Sequence, residues 1–410
     1  MKDAIVGLDI GAETVRAVIG VYSDDDKLEI VGVGTAKSSG LNKGAIVNIE
    51  TIAHSIQEAI DAAEQMAGCN VTYVNTAIGG EQTSSVNSTG AVGISANGKG
   101  SVCEKDILRV LDSAKAIPLN GTKKILHVIP QTYIVDQVNF VQNPLYMEGT
   151  RLGVDVHIVE ASVTSIQNIE KAIERANYKR DVVFLNSLAA VKSITTKEER
   201  ELGSIVIDFG AESTDAIVVC RGAPICSVSV PFGGRIISRD ISYVRGISIE
   251  TAERIKISSG CCHQSLLEEN EEVIIPGVGG RPPELISRQE LCSYIQPRVE
   301  EILTMVRDKI GSSINDENLA GNVILCGGGA LLPGIVEVAG DVFCTSNVRI
   351  GMPGNYEGVA ELYRSPEFAV AVGLILEDSF EDGTLQNRTE NDKKKRSKFS
   401  AIADWFKEFF

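Results

Sequence analysis

Residues 5–19 read Ile5-Val6-Gly7-Leu8-Asp9-Ile10-Gly11-Ala12-Glu13-Thr14-Val15-Arg16-Ala17-Val18-Ile19, and residues 204–218 read Ser204-Ile205-Val206-Ile207-Asp208-Phe209-Gly210-Ala211-Glu212-Ser213-Thr214-Asp215-Ala216-Ile217-Val218. Each is a β-branched strand, an Asp-x-Gly-Ala-Glu-[Ser/Thr] turn and a second β-rich strand, which is the pattern of a hairpin. Asp9 and Asp208 stand 199 residues apart, as do Gly11 and Gly210. One Asp-x-Gly turn needs no explanation beyond its turn-forming residues. Its duplication at a domain-sized interval implies two similar halves, each opening on a hairpin whose tip holds an Asp and a Gly.

Those tips suit a nucleoside triphosphate. Glycine turns let backbone N–H groups approach phosphates with no Cβ in the way. Carboxylates hold Mg2+ through water, because that ion dehydrates reluctantly. Gly11 and Gly210 meet the first need, Asp9 and Asp208 the second.

Outward from the first hairpin, Ile49, Ile52, Ala53, Ile56, Ala59, Ile60 and Ala63 share one helical face. Asn48 is its cap and Gly68 its stop. Val71–Ile78 reads as a strand, residues 79–101 are rich in Gly, Ser, Thr and Asn, and a separate strand-and-helix block runs to about residue 160. Strand–helix alternation resumes at Val182. Farther on, Ser287-x-x-Glu290 reads as a capping box opening a helix lined by Leu291, Ile295, Val299, Ile302, Val306 and Ile310, which Pro297 should kink or split.

The chain has 410 residues, 43% hydrophobic and 23% charged, ordinary for two or three globular domains. No apolar run is long enough to cross a membrane. The acids near the N-terminus do not suit a signal peptide, and nine cysteines at irregular spacing fit a reducing cytosol. The net charge of −16 divides into +4 over residues 393–410 and −20 over the rest. An acidic body argues against nucleic-acid binding, whereas the basic tail points to a local anionic target.

Further candidates are weaker taken singly. Gly327-Gly328-Gly329 follows the strand Val323–Cys326 and lets a flat base or a phosphate lie against backbone; the Gly-x-Gly-x-x-Gly spacing of a dinucleotide fold is missing. Glu253 and Lys256 share a helix face at i, i+3, which a surface ion pair would also explain. Cys261-Cys262-His263 lacks the second ligand pair of a zinc finger, and no histidine sits in a nucleophile–base motif.

Taken in order, the two Asp-x-Gly hairpins, the triple glycine and Ser365-Pro366-Glu367-Phe368-Ala369-Val370-Ala371-Val372-Gly373-Leu374 resemble the actin-like ATPase superfamily. Within it the chain resembles the FtsA cell-division family, on Pro231-x-Gly233-Gly234-x-Ile236, Ser248-x-x-x-Ala252-Glu253-x-x-Lys256 and Cys326-Gly327-Gly328-Gly329-Ala330. The resemblance covers essentially the whole chain. It implies an α/β, actin-like two-lobed fold with a duplicated ATPase core, an inserted subdomain in the first lobe and a C-terminal amphipathic helix. The expected division is a first-lobe core at 1–81, with 161–199 and about 355–380, interrupted by an insertion at 82–160. The second-lobe core takes 200–235 and 305–354, and its small, partner-binding subdomain 236–304. A disordered linker at 381–398 and a membrane-targeting helix at 399–410 complete it.

The resemblance also implies a nucleotide site for ATP and Mg2+. Asp9, Gly11, Ala12 and Glu13 match the first phosphate loop and Asp208, Gly210, Ala211 and Glu212 the second, with Asp9 and Asp208 on the metal. Gly233 and Gly234 match a turn beside the nucleotide, Glu253 and Lys256 the ribose and base contacts, and Gly327, Gly328 and Gly329 the adenosine loop. Three positions depart from the superfamily. Ala12-Glu13 and Ala211-Glu212 replace Ser/Thr- and Gly-rich loops, and two added carboxylates would repel a triphosphate unless they point away or hold the metal. Asn186 stands where a Glu usually positions the attacking water; an amide hydrogen-bonds water without taking its proton, so slow hydrolysis is expected.

As implied partners, the family brings head-to-tail filaments, other division proteins and the C-terminal tail of the tubulin-like protein FtsZ, with Arg298 and Glu301 as contacts. It implies a peripheral protein that anchors the FtsZ ring to the cytoplasmic face of the inner membrane at the division site. The tail agrees. Phe399, Ile402, Trp405, Phe406, Phe409 and Phe410 form one helical stripe beside the cations Lys393, Lys394, Lys395, Arg396 and Lys398. A core-packing helix would show the same stripe, but an aromatic stripe next to a basic cluster and a polar linker suits anionic lipid. The competing readings are an actin-fold pilus-assembly adaptor and an actin-fold small-molecule kinase.

Overall fold

The computed structural model describes residues 4–23, 27–94, 100–119, 121–268, 271–277, 279–280, 282–311, 321–354 and 356–376. The linker and the amphipathic stripe read from residues 377–410 lie outside them.

Two sheets repeat one topology. In the first, the meander Ile5–Ile10, Thr14–Tyr22, Leu28–Lys37 is antiparallel, and Tyr73–Ile78 then Lys179–Leu185 add in parallel on the other side of the opening strand. In the second, Ser204–Phe209, Thr214–Cys220, Ala223–Val230 form the meander and Asn322–Cys326 then Val348–Ile350 the parallel pair. Glu357–Gly358 adds a last parallel rung to the first sheet. The repeat seen at the hairpins therefore extends to whole sheets. In both hairpins the Asp is the penultimate residue of its strand, Asp9 opposite Arg16 and Asp208 opposite Asp215.

Between the sheets run two short buried helices, Asn186–Ile194 and Ala369–Ile375. They cross tightly at Gly373, where a Cβ would stand 1.9 Å from the Ala189 carbonyl oxygen. One apolar core fills the first lobe and continues past these helices to Val206, Ile217 and Ile324 of the second sheet. A second core packs the remaining face of that sheet against the helices Gly234–Arg245, Ile249–Ser259 and Arg288–Ile310. Burial on this scale, at about 25 cal/mol per Å² of apolar surface, is what holds the lobes in register.

The helix Ile49–Ala67 starts where Asn48 accepts hydrogen bonds from the Glu50 and Thr51 amides and stops at Gly68, φ 65°. Pro297 neither ends nor divides the helix Arg288–Ile310. Proline removes one backbone donor, but Leu291, Ile295, Val299, Ile302, Val306 and Ile310 are fully buried on both sides of it, so tertiary packing outweighs the local loss. Ser287 Oγ accepts from the Glu290 amide at 3.0 Å, but the Glu290 carboxylate turns to Tyr294 and Arg245, so only half of the expected capping box forms.

The segment 83–162 forms a four-stranded antiparallel sheet, in order Thr83–Gly93, Arg151–Ser162, Lys123–Val135, Val138–Val141, with its own core under the helix Glu104–Ala114. The polar run after residue 79 thus contains a long strand. Eleven paired positions with Arg151–Ser162 overcome its poor strand composition. This sheet caps the outer strand of the second lobe. Ser85 Oγ, Asn87 Nδ2 and Gln131 Nε2 each donate 2.9 Å bonds to the carbonyls of Ser227, Ile225 and Pro224.

Candidate functional site

The two Asp-x-Gly tips face each other across a cavity of about 460 Å³ between the lobes. Asp9, Gly11, Ala12 and Glu13 line it from the first lobe, and Asp208, Gly210, Ala211 and Glu212 from the second. Both turns are tight in the same way, since a Cβ on Gly11 would lie 2.6 Å from the Thr14 carbonyl and one on Gly210 2.9 Å from that of Ser213.

At the bottom, carboxylates crowd together, Asp215 buried and Asp9 and Asp208 half-buried. Burial pushes Asp9 up to about 6, although the Arg16 guanidinium draws it the other way. Burial, then the Asp215 and Asp9 charges, push Asp208 up to about 8. Burial and the same carboxylates drive the Cys326 thiol far above its usual range. Acids held this unfavourably are a fit for a divalent cation, whose charge would relieve both burial and repulsion.

The triple glycine divides by role. Gly327 has φ 79° and its Cβ would fall 2.3 Å from Asp208 Oδ1, while a Cβ on Gly329 would strike the Phe209 ring at 2.1 Å. Both are glycine because the loop lies on the second Asp-x-Gly turn. Gly328 alone faces open space, with nothing within 4 Å of a would-be Cβ, and it is the position where a flat ligand could rest on backbone. Opposite lies the Glu253–Lys256 pair, with Lys256 Nζ 2.9 Å from Glu253 Oε2 and 2.9 Å from the Gly234 carbonyl. Ser238 Oγ donates to Glu253 as well. Lys256 is only 11% exposed, so this is a wall of the cavity and not a surface ion pair.

Gly233 is placed differently from the other site residues. It packs behind the second loop, where a Cβ would meet the Gly210 carbonyl oxygen at 2.4 Å, while Gly234 beside it lines the cavity. Asn186 lines the cavity too, and its Nδ2 donates to Asp215 Oδ2 at 3.0 Å. Asp215 further accepts from the Gly80 amide at 2.9 Å and from Ser213 Oγ at 3.0 Å. Arg298 forms a fork with Asp240, at 2.6 and 3.2 Å, and pairs with Glu301 away from this cavity. The tail cations and aromatics lie outside the described residues.

Three side chains escaped the sequence reading. Asp215 ties the lobes at the cleft floor, and Arg16 lines the cavity while its Nη2 bonds Glu367 Oε2 at 2.8 Å. Each sits opposite its hairpin's Asp, and the repeat itself, which aligns Arg16 with Asp215, was the signal. The third is Arg235. It bonds Glu212 Oε1 at 2.8 Å, pairs with Glu13 and reaches the Ala12 carbonyl at 3.4 Å. One arginine thus sits between the two added loop carboxylates and offsets half of their charge.

Comparison with known proteins gives matches over the whole chain. A family model described as cell division protein FtsA matches residues 205–373, and one described as the SHS2 domain inserted in FtsA matches residues 80–160. A cell division protein FtsA from Borreliella burgdorferi is 38% identical over 413 residues, covering 100% of both chains. Among solved structures, the PilM–PilN type IV pilus biogenesis complex aligns over 92% of this chain and 99% of that one, with TM-score 0.64 and 18% identity. MreB5 of Spiroplasma citri bound to ADP aligns over 92% and 96%, with TM-score 0.54 and 14% identity. At such identities these two structures bear on the fold, which is actin-like.

Proposed function

The chain belongs to the FtsA family of cell-division proteins, and from that premise we propose that it is an ATP-binding adaptor joining the FtsZ ring to the membrane. The observation that carries the reading is the convergence of two Asp-x-Gly turns, an open Gly328 and the Glu253–Lys256 pair on one cavity between two lobes. The Gly11 and Gly210 turns would present backbone amides to phosphate oxygens. Asp9 and Asp208 would hold Mg2+ through water, and the ion would supply charge neutralisation of the phosphates. Gly327–Gly329 would seat adenine, with Glu253 and Lys256 toward the ribose and base.

Turnover would be slow. Asn186 can orient a water through its amide, but both its polar atoms are engaged, Nδ2 with Asp215 and Oδ1 with the Ser187 amide at 2.7 Å. The chemistry therefore suits a nucleotide used as a structural element more than as fuel.

Head-to-tail filaments would array many copies on the membrane. Lys393, Lys394, Lys395, Arg396 and Lys398, with the stripe Phe399, Ile402, Trp405, Phe406, Phe409 and Phe410, would supply the anchor at the cytoplasmic face of the inner membrane. Among the described residues no helix is long and apolar enough to cross a membrane. The FtsZ tail would dock on the small subdomain of the second lobe, with Arg298 and Glu301 as contacts, alongside the recruitment of other division proteins. Co-sedimentation with anionic liposomes, with and without residues 393–410, tests the reading when the pellets are viewed by electron microscopy. Filament-coated vesicles with the full chain and bare vesicles with the truncated one are expected. Equal pelleting of both would sink it.

A further inference from the structure

A nucleotide cradled between two hairpin tips can leave only when the tips separate, and in this chain a charged bridge spans them. Arg235 is fixed to the second lobe. It is the second residue of the helix Gly234–Arg245, and its amide donates to the Ala211 carbonyl at 2.8 Å. Its guanidinium holds Glu212 of the same lobe at 2.8 Å, and across the cleft it pairs with Glu13 and reaches the Ala12 carbonyl at 3.4 Å. Glu212 makes a second crossing, because its Oε2 accepts from the Gly44 amide of the first lobe at 3.1 Å. These residues all line the cavity, and their side chains grade from 9% exposed at Glu212 through 30% at Arg235 to 44% at Glu13, so the bridge runs from the interior to the rim.

We propose that Glu13, Arg235 and Glu212 form a latch that gates nucleotide entry and exit, an inference resting on the nucleotide reading of the cleft. Three contacts cross between the lobes, Arg235 to Glu13, Arg235 to the Ala12 carbonyl and the Gly44 amide to Glu212, so opening the cleft must break charge-assisted bonds at a partly desolvated site. Losing Arg235 also leaves two carboxylates facing each other, which drives the tips apart. The latch belongs to the approach and not to the ligand's own contacts, so it should act on both rate constants alike.

Stopped-flow fluorescence of the full chain with mant-ATP and Mg2+ tests this on wild type, Glu13→Gln and Arg235→Ala. Glu13→Gln removes only the cross-lobe pair and leaves Arg235 matched to Glu212, so it separates gating from misfolding. Both variants should bind and release the nucleotide about tenfold faster, as a lost charge-assisted contact implies, with the dissociation constant moving less than threefold. Added salt should speed release from wild type by screening and leave Arg235→Ala little changed. A rise in release alone, with lost affinity for mant-ATP but not mant-ADP, would make Arg235 a phosphate ligand and overturn the latch. Unchanged rates in both variants would overturn it too. Failure of wild type to bind mant-ATP would strike the nucleotide reading instead. The latch would then be judged on amide exchange at residues 40–46, which both variants should accelerate and which, if unmoved, refutes it.

Discussion

Replacing Asp208 with Asn should stabilise the protein in the absence of ligand, and the reason is the carboxylate cluster at the cleft floor. Asp208 rises from 3.8 to about 8 through burial and the charges of Asp215 and Asp9. An acid with a raised pKa binds its proton more tightly in the folded chain than in the unfolded one, so folding stability falls as pH climbs from about 4 to about 8. At pH 7 the gap above 3.8 corresponds to on the order of 4 kcal/mol, at 1.36 kcal/mol per unit. Much of that is shared with Asp9 and Asp215, which remain in the variant. Asp208→Asn should therefore gain about 1–3 kcal/mol at pH 7–8 and almost nothing at pH 4. Urea unfolding of both proteins at intervals from pH 4 to pH 8, without nucleotide, reads this as a difference that grows with pH. Adding Mg2+ and ATP should reverse the order, because only wild type keeps both carboxylates of the proposed Mg2+ site. A pH-independent difference, or a variant less stable than wild type at pH 8, would refute the electrostatic account.

Gly328→Val should leave the thermal midpoint unchanged, because nothing lies within 4 Å of its Cβ, yet abolish ATP binding by calorimetry; Gly329→Val, driven into the Phe209 ring, should lower the midpoint as well. ATP turnover by wild type, followed as phosphate release, should stay far below one per second, since general-base assistance worth roughly 10²–10⁴-fold is missing at Asn186. Several turnovers per second would mean that another group is the base. Trp405→Glu should free the protein from anionic liposomes without changing its unfolding curve, because it puts a charge into the proposed anchor stripe, whose six apolar side chains would give on the order of 5–9 kcal/mol gross if half-inserted, most of it offset by the ordering that insertion would require.

What the chain's pattern reveals is local and repeated. The duplicated Asp-x-Gly hairpins announce the two sheets, and the stripe from Leu291 to Ile310 announces a buried helix, because both are periodic over a short window. The long-range pairings are invisible to such a reading. Arg235 passed as an unremarked position between Gly234 and Ile236, since its partner Glu13 lies 222 residues earlier. Loop composition accordingly suggested repulsion at Glu13 and Glu212, where the fold supplies an arginine. The family resemblance places Gly233 and Gly234 together in a turn beside the nucleotide, and only the backbone packing at Gly210 separates them. Pro297 misled in the opposite direction, as a local rule overridden by burial on both flanks. Asp215 is marked by the repeat, which aligns it with Arg16, but its tie between the lobes shows only in the bonds from Gly80 and Asn186.

If this chain links FtsZ to a membrane, a peptide of the FtsZ tail must follow it onto vesicles. A fluorescent peptide with the sequence of the FtsZ C-terminal tail is mixed with the full chain, Mg2+, ATP and anionic vesicles, and its sedimentation with the vesicles is measured. The account predicts peptide in the pellet with the full chain, and peptide left in solution when residues 393–410 are removed or Arg298 is changed to Glu. Peptide that stays in solution with the full chain, while the chain itself pellets, would contradict it.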